Sequence, residues 1–286
     1  MSRAGWLNAI LAVGVVALGA FFYLKPAKDA AVEYPLSALK PQDARSLRIE
    51  RAGAAPIVLD KKQGAWFISA PFAARADDLR VQQLLAIMDA SAAHRLPAVD
   101  RERFGLEPPQ ARIVVDGHPF SFGMVSEITR EQYVMSGDAV YAVHPRYGAA
   151  LPESAVQIAS RQLFGADEAP VRIALEDFAV EQREGKWVLT PGAGDPSQDD
   201  LIRWVDEWRL ASALRVEPRS AGRVRDEIRT QFKNGGGFTL GVLAREPELV
   251  LTRSDEKLQY RFRAETGKRL LSPPGSGTRS EPADKK

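Results

Sequence analysis

Residues 57–69 read IVLDKKQGAWFIS, and residues 178–190 read FAVEQREGKWVLT. Ile57, Leu59, Gly64, Trp66 and Ile68 therefore recur as Phe178, Val180, Gly185, Trp187 and Leu189, each displaced by 121 positions. In both stretches an alternating apolar run meets a polar turn ending in Gly, and a second alternating run follows. That is the pattern of a β-hairpin with one face buried. Five matches at one offset point to a duplicated hairpin.

The likeness extends outward with a small drift in loop length. Asp77, Asp78 and Leu79 match Asp199, Asp200 and Leu201, and Ala93, Arg95 and Leu96 match Ala213, Arg215 and Val216. Phe120, Phe122 and Gly123 match Phe238, Leu240 and Gly241. A unit of about 120 residues is too long for a solenoid repeat and has the size of a small domain.

Within the first unit, Ser46–Ile49 and Ile57–Leu59 read as strands, and Pro71 stops the strand that begins at Ala65. Asp77 and Asp78 then open a helix whose apolar residues Val81, Leu84, Leu85 and Met88 follow a 3.6-residue period. Leu201, Trp204, Val205 and Trp208 repeat that stripe after Asp199 and Asp200. A meander follows each helix. It comprises residues 112–115, 120–122, 132–135 and 140–143 in the first copy, and 237–240, 248–251 and 259–262 in the second. The expected class is α+β, with an N-terminal transmembrane helix and two tandem units of antiparallel sheet, each with a packed helix. We divide the chain into an anchor (1–24), a linker (25–36), a first unit (37–147), a connecting helix within 148–168 centred on Glu153–Leu163, a second unit (169–271) and a disordered tail (272–286). The tail, SPPGSGTRSEPADKK, has too few apolar residues to bury a core.

The anchor is expected over Gly5–Leu24, GWLNAILAVGVVALGAFFYL, twenty residues without a charge. At 1.5 Å per residue such a helix spans about 30 Å, the thickness of a bilayer core. Trp6 and Tyr23 stand near its ends, where amphipathic rings favour the lipid–water interface. The rival is a cleaved signal peptide with Arg3 in its leader and Leu18, Gly19 and Ala20 at a poor cleavage site. The bulky run Phe21, Phe22, Tyr23 suits lipid better. Arg3 before the span and Lys25 and Lys28 after it nearly cancel in the positive-inside count. A minimal leader and a long downstream chain nevertheless place residues 25–286 outside the cytoplasmic membrane.

Composition narrows the possible chemistry. Thirty-nine Lys plus Arg stand against 37 Asp plus Glu, a net charge of +2 that offers no basic face for a row of phosphates. With no Cys, the chain has no disulfide, thiolate metal ligand or cysteine nucleophile. Neither a Walker loop nor a G-x-G-x-x-G turn occurs, and there is no G-x-S-x-G elbow; Ser276 lies in the tail. His94, His118 and His144 fall in different elements and at no metal-ligand spacing. The pairs Asp77–Asp78 and Asp199–Asp200 stand where helices begin, so capping outweighs a shared-proton or cation role. Trp204 and Trp208 share a helical face with Leu201 and Val205, which favours packing over an aromatic platform. Trp66 and Trp187 read as equivalent buried hairpin residues. Arg203, Arg209, Arg215, Arg219, Arg223, Arg225 and Arg229 are interspersed with acids and read as solvated surface. No catalytic, cofactor or metal residues are assigned. Gly64, Trp66, Pro71, Asp77, Phe104, Gly105, Leu106, Gly185, Trp187 and Asp199 are assigned structural roles.

The run QGAWFISAP (63–71), the Asp77–Asp78 helix, Ala93-His94-Arg95, Phe104-Gly105-Leu106-Glu107-Pro108 and SRQLFGADEAPVRIAL (160–175) together resemble DUF family 4340 of bacteria. The resemblance covers most of residues 36–265. It implies a membrane-anchored, extracytoplasmic protein, some of whose relatives are found alongside or fused to auxiliary proteins of ABC-type export and gliding-motility systems, and the family has no established catalytic residues. The second copy has Arg223–Thr230 where the first has its aromatic-Gly-Leu segment, so any role of that segment belongs to the first copy. The expected function is a non-catalytic, membrane-tethered scaffold or accessory protein of a transport or envelope assembly, needing no cofactor and meeting other membrane or periplasmic proteins. The rivals are a cryptic envelope-polymer hydrolase and a sugar- or lipid-binding module in a groove between the copies. A cleft gathering carboxylates or histidines would mark the first, and an apolar groove the second.

Overall fold

The computed structural model describes residues 6, 12–20, 33–191 and 196–275. Two large antiparallel sheets and one two-stranded pair carry a few short helices, a mixed α+β architecture. Strands β1 (Tyr34–Pro35) and β6 (Ser91–Ala92) pair with each other. The first sheet contains β2 (Ser46–Arg51), β3 (Ile57–Lys62), β4 (Ala65–Ala70), β5 (Ala74–Arg75), β7 (Arg95–Pro97), β8 (Ala111–Val115), β9 (His118–Val125), β10 (Gln132–Ser136) and β11 (Ala139–Val143). Its order is β5-β4-β3-β2-β8-β9-β10-β11-β7. The second contains β12 (Pro170–Ala174), β13 (Ala179–Arg183), β14 (Lys186–Thr190), β15 (Arg215–Pro218), β16 (Asp226–Phe232), β17 (Thr239–Ala244), β18 (Leu249–Arg253) and β19 (Leu258–Phe262). Its order, β14-β13-β12-β16-β17-β18-β19-β15, repeats the first strand for strand without a counterpart of β5.

Register preserves the offset seen in the sequence. Trp66 faces Lys61 and Ile68 faces Leu59, while Trp187 faces Gln182 and Leu189 faces Val180. Both hairpins turn on two residues with positive φ, Gln63–Gly64 (51° and 88°) and Glu184–Gly185 (50° and 80°). That is the turn whose twist matches the flanking strands, and it explains a Gly at the second position of each. Burial differs between the copies: Trp66 is buried, whereas Trp187, expected to be its buried equivalent, is half-buried against the core.

Helix α1 (Asp78–Leu85) buries Val81, Leu84 and Leu85, and a 3-10 segment then buries Ile87 and Met88. Helix α2 (Gln198–Arg209) buries Leu201, Trp204, Val205 and Trp208, and α3 (Ala264–Leu271) follows β19. Between α1 and α2 the buried stripes correspond at an offset of 120, so Asp77 is the counterpart of Ser197, not of Asp199. Asp77 caps α1 by accepting the Arg80 amide. In α2 the cap is Ser197, which forms a reciprocal capping box with Asp200. Asp199 therefore lies within the first turn, and the expected Asp199–Asp200 cap is corrected to Ser197 and Asp200.

The connecting helix expected over Glu153–Leu163 is absent; only Ala155–Gln157 form a 3-10 turn. Beyond it the main chain bonds to β5 of the first sheet and to the loop between α2 and β15 instead of to itself. Ser160 N donates to Arg75 O, Leu163 N donates to Ala211 O, and Arg161 O accepts from Ala213 N. Ile158, Leu163 and Phe164 are buried there, in a core continuous across both halves.

After β7 the chain crosses the face of the first sheet opposite its core. Leu106 is buried there and Phe104 meets Tyr133 edge-on at 4.9 Å. Gly123 permits the crossing, since a Cβ would collide with the Phe104 carbonyl and lie 3.1 Å from Leu106 Cγ. The second sheet repeats this at Gly241, where a Cβ would sit 2.8 Å from Val224. Val224 thus packs where Leu106 does, and residues 226–230, expected to replace the aromatic-Gly-Leu segment, belong to β16.

Of the expected span 5–24, Trp6 and residues 12–20 are helical and exposed; its other positions lie outside the described residues, as does the tail from 276. Among the described residues no helix is long and apolar enough to cross a membrane.

Candidate functional site

The most concentrated charge chemistry lies where the β5 edge of the first sheet meets the second sheet. Five elements contribute: Arg75 on β5, Glu168 between the halves, Arg253 at the end of β18, Asp255 and Glu256 in the following turn, and Tyr260 on β19. Inward alternation of Leu249, Leu251 and Arg253 along β18 leaves the Arg253 side chain fully buried.

All five N–H donors of Arg253 are engaged. Nη2 and Nη1 grip Glu168 at 2.7 and 2.8 Å, Nη1 also donates to Leu163 O at 2.6 Å, and Nε and Nη2 reach Asp255 at 3.0 and 2.7 Å. Its guanidinium also lies 3.8 Å from the centre of the Phe238 ring. Arg75 reaches across from the first half. Its backbone N and its Nε both donate to Glu256 Oε1, at 3.1 and 2.7 Å. Its Nη2 reaches Gln162 O at 2.7 Å, Leu163 O at 3.3 Å and Tyr260 Oη at 3.3 Å. The Tyr260 hydroxyl donates to the other oxygen of Glu256. Burial alone would push Arg253 and Arg75 down, but Glu168, Asp255 and Glu256 around them hold both above the usual guanidinium range. Burial likewise opposes ionisation of Glu168 and Asp255, yet Arg253 holds both below their ordinary values. Tyr260 is pushed up by burial and by Glu256. The cluster is charged, buried apart from the half-exposed Asp255 and mutually satisfied, so its chemistry is that of a clasp between chain segments.

None of these residues stands out in the sequence. Arg75 and Arg253 are 178 positions apart and meet only through folding. The one local clue is Arg253 occupying an inward position of an alternating strand.

A second, more exposed network covers the β15–β19 edge. Glu217 accepts from Arg261 at 2.8 Å, Gln259 at 2.8 Å and Arg215 at 2.9 Å, which together lower its pKa to about 2. A depressed carboxylate contributes stability that is full above its ordinary pKa near 4.5 and is lost as pH falls through about 2. The Glu217 side chain is about one-third exposed, so screening limits this to roughly 1 kcal/mol or less. Glu217→Gln should therefore narrow the stability difference between pH 7 and pH 3 by about that amount, read from urea unfolding at both pH values.

The residues singled out in the sequence are dispersed. His94 is an exposed residue ahead of β7, His118 opens β9 with Nδ1 3.3 Å from Asp116 O, and His144 follows β11 and accepts from Arg146 N. Among the described residues no three His, Cys, Asp or Glu are grouped to hold a metal ion. Trp204 and Trp208 are buried, and their ring N–H groups donate to Ser272 O and Leu270 O, fastening α3 to α2. Arg203, Arg209, Arg215 and Arg229 pair with neighbouring acids. Gly105, with φ of 67°, ends the 3-10 segment Arg101–Phe104 that sets Phe104 on Tyr133. Ser276 lies outside the described residues. A shallow depression of about 260 Å³ is lined by Ser212, Leu214, Arg263 and Thr266. It gathers no carboxylate or histidine.

A family model described as "Domain of unknown function (DUF4340)" matches residues 66–217, just over half of the chain. The matched stretch begins in β4, ends in β15 and includes Arg75 and Glu168 of the clasp. No curated protein matches the chain, and no solved structure does.

Proposed function

The chain belongs to the DUF4340 family, and from that premise we propose that it is a membrane-tethered, non-catalytic scaffold, single-pass in the bacterial inner membrane with its bulk in the periplasm. It serves there as an accessory to a transport or envelope assembly, and components of ABC-type transporters are the partners the family resemblance suggests. The observation that carries the proposal is the uncharged run Gly5–Leu24 directly ahead of two sheet units. The charges of the inter-sheet clasp are paired with one another, which favours holding shape over turning over a substrate.

A tether makes encounter with another membrane protein effectively intramolecular, so a weak interface suffices. Fusions of a reporter active only outside the cytoplasm, placed after Glu33 and after Lys286, should both be active. Silence of either fusion removes the periplasmic assignment. Replacing residues 1–24 by a cleavable export signal should weaken function while the sheets still fold. Single Ala replacements of Asp77, Asp199, His94, His118 or His144 should leave function within a few fold, whereas losing a general acid or base costs about a hundredfold or more. Loss of function from one such replacement in a folded, correctly located protein would favour the hydrolase.

A further inference from the structure

We propose that Arg75 is the residue that locks the two sheet units into one rigid body, and that its charge, more than its packing, does so. This goes beyond the scaffold reading and does not depend on where the chain resides.

Connected domains move relative to one another by default unless something specific joins them. Here the joint is asymmetric: one side chain of the first unit enters a ready-made charged site of the second. Arg75 sits on β5, the strand with no counterpart in the second sheet. Its guanidinium and its backbone N converge on Glu256, whose side chain is 3% exposed, and Lys257 N donates to Ala73 O beside it. Glu168 and Arg253 pair within the second half and its approach segment, as do Arg253 and Asp255. Glu256 depends on the first unit: apart from Arg75 it has the Tyr260 hydroxyl and a distant Arg253 at 4.0 Å.

That dependence determines what removing Arg75 does. In the docked arrangement Glu256 would be a buried carboxylate without its cation, a costly state. Separation of the units would let water reach it. The penalty therefore falls on the docked state alone and shifts the balance toward units that move independently. The buried apolar residues Ile158, Leu163 and Phe164 also span the joint, so it is necessary to separate the charge of Arg75 from mere contact.

The test uses spin-label distance measurement on the full-length chain in detergent micelles. Because the sequence has no Cys, Gln83→Cys on α1 and Gln231→Cys on β16, both exposed, report a single inter-unit distance. The otherwise native chain should give one narrow distribution. Arg75→Met keeps the stem and removes the charge, and the narrow distribution should be lost to a broad one. Adding Glu256→Gln, an amide that needs no cation, should restore the narrow distribution. An unchanged narrow distribution in Arg75→Met overturns the proposal, because the apolar joint then suffices. Persistent breadth in the double variant also overturns it, because Arg75 then acts by packing. A broad native distribution overturns it outright. If Arg75→Met does not fold, Arg75→Lys carries the test: it keeps the charge without the fork, and its distribution should be intermediate. Complete loss of order in Arg75→Lys would count against the proposal, because a charge would then be present without holding the units, whereas a native width would support it.

Discussion

Arg253→Met should lower the stability of the fold by about 3 to 5 kcal/mol, the range for breaking a buried ion pair from one side. For a block of this size that corresponds to a melting temperature lower by roughly 5 to 15 °C. The expectation rests on what remains after the change. Methionine fills much of the volume of the arginine stem, so the loss is mainly electrostatic. Glu168, only 16% exposed, loses both of its hydrogen bonds from Arg253 and keeps the Gly165 N–H at 2.6 Å and a looser contact with Arg75 at 3.8 Å, the Leu163 carbonyl loses its 2.6 Å donor, and the face of Phe238 loses its cation. Asp255, half exposed, can hydrate and contributes less. Glu168→Gln in the Arg253→Met background should recover part of the loss, because a neutral amide is cheaper to bury than a carboxylate that has lost its close cation. Thermal and urea unfolding followed by far-ultraviolet circular dichroism reads both variants. An Arg253→Met protein as stable as the native one would mean that an apolar filling serves as well as the ion pairs, as happens when a buried network is replaced as a whole.

The contrast between hairpin and clasp explains how much was visible before folding. The two hairpins were legible because their determinants are local: a Gly at the second turn position and apolar residues at alternate positions fix turn and register within thirteen residues. The helices were legible as helices, but their phase relative to the repeat was not. Each copy has two adjacent Asp near the helix start, but Asp77 is itself the cap in the first copy whereas the cap of the second is Ser197, two residues before Asp199, and the apolar stripes at an offset of 120 carry the true alignment. Gly123 and Gly241 matched in sequence, yet the cause of the match is the strap crossing over them, in which Leu106 and Val224 look unrelated. The segment after Glu153 has helix-compatible residues and fails to be a helix because its backbone groups find partners on β5 and on the loop between α2 and β15. The clasp was illegible for the same reason, since its partners meet only after both sheets exist. Local patterns reveal elements; contacts between distant segments reveal how the elements are joined.

Three of the four hairpin and helix tryptophans should separate in a way the repeat alone does not predict: Trp208→Ala should be the most damaging, Trp66→Ala next and Trp187→Ala the mildest. Trp208 is fully buried, stands edge-on to Trp204 at 6.0 Å and donates its ring N–H to Leu270 O at 3.1 Å. Its removal opens a cavity costing about 3 to 5 kcal/mol. It also leaves the buried Leu270 carbonyl without that donor, which adds about 1 kcal/mol or more. Because Leu270 belongs to α3, the damage should spread. Faster amide exchange is expected across residues 264–271 in Trp208→Ala, as α3 loses one of its two indole tethers while Trp204 still holds Ser272 O. Trp66 is buried in the first hairpin, so its loss should approach the same 3 to 5 kcal/mol cavity term. Trp187, at the same register but half-buried, should cost about 1 to 2 kcal/mol, in keeping with the smaller apolar area it removes from water. Urea unfolding followed by circular dichroism ranks the three without relying on tryptophan emission. Equal losses for Trp66→Ala and Trp187→Ala would mean that the two hairpins are buried alike, contrary to the packing described above.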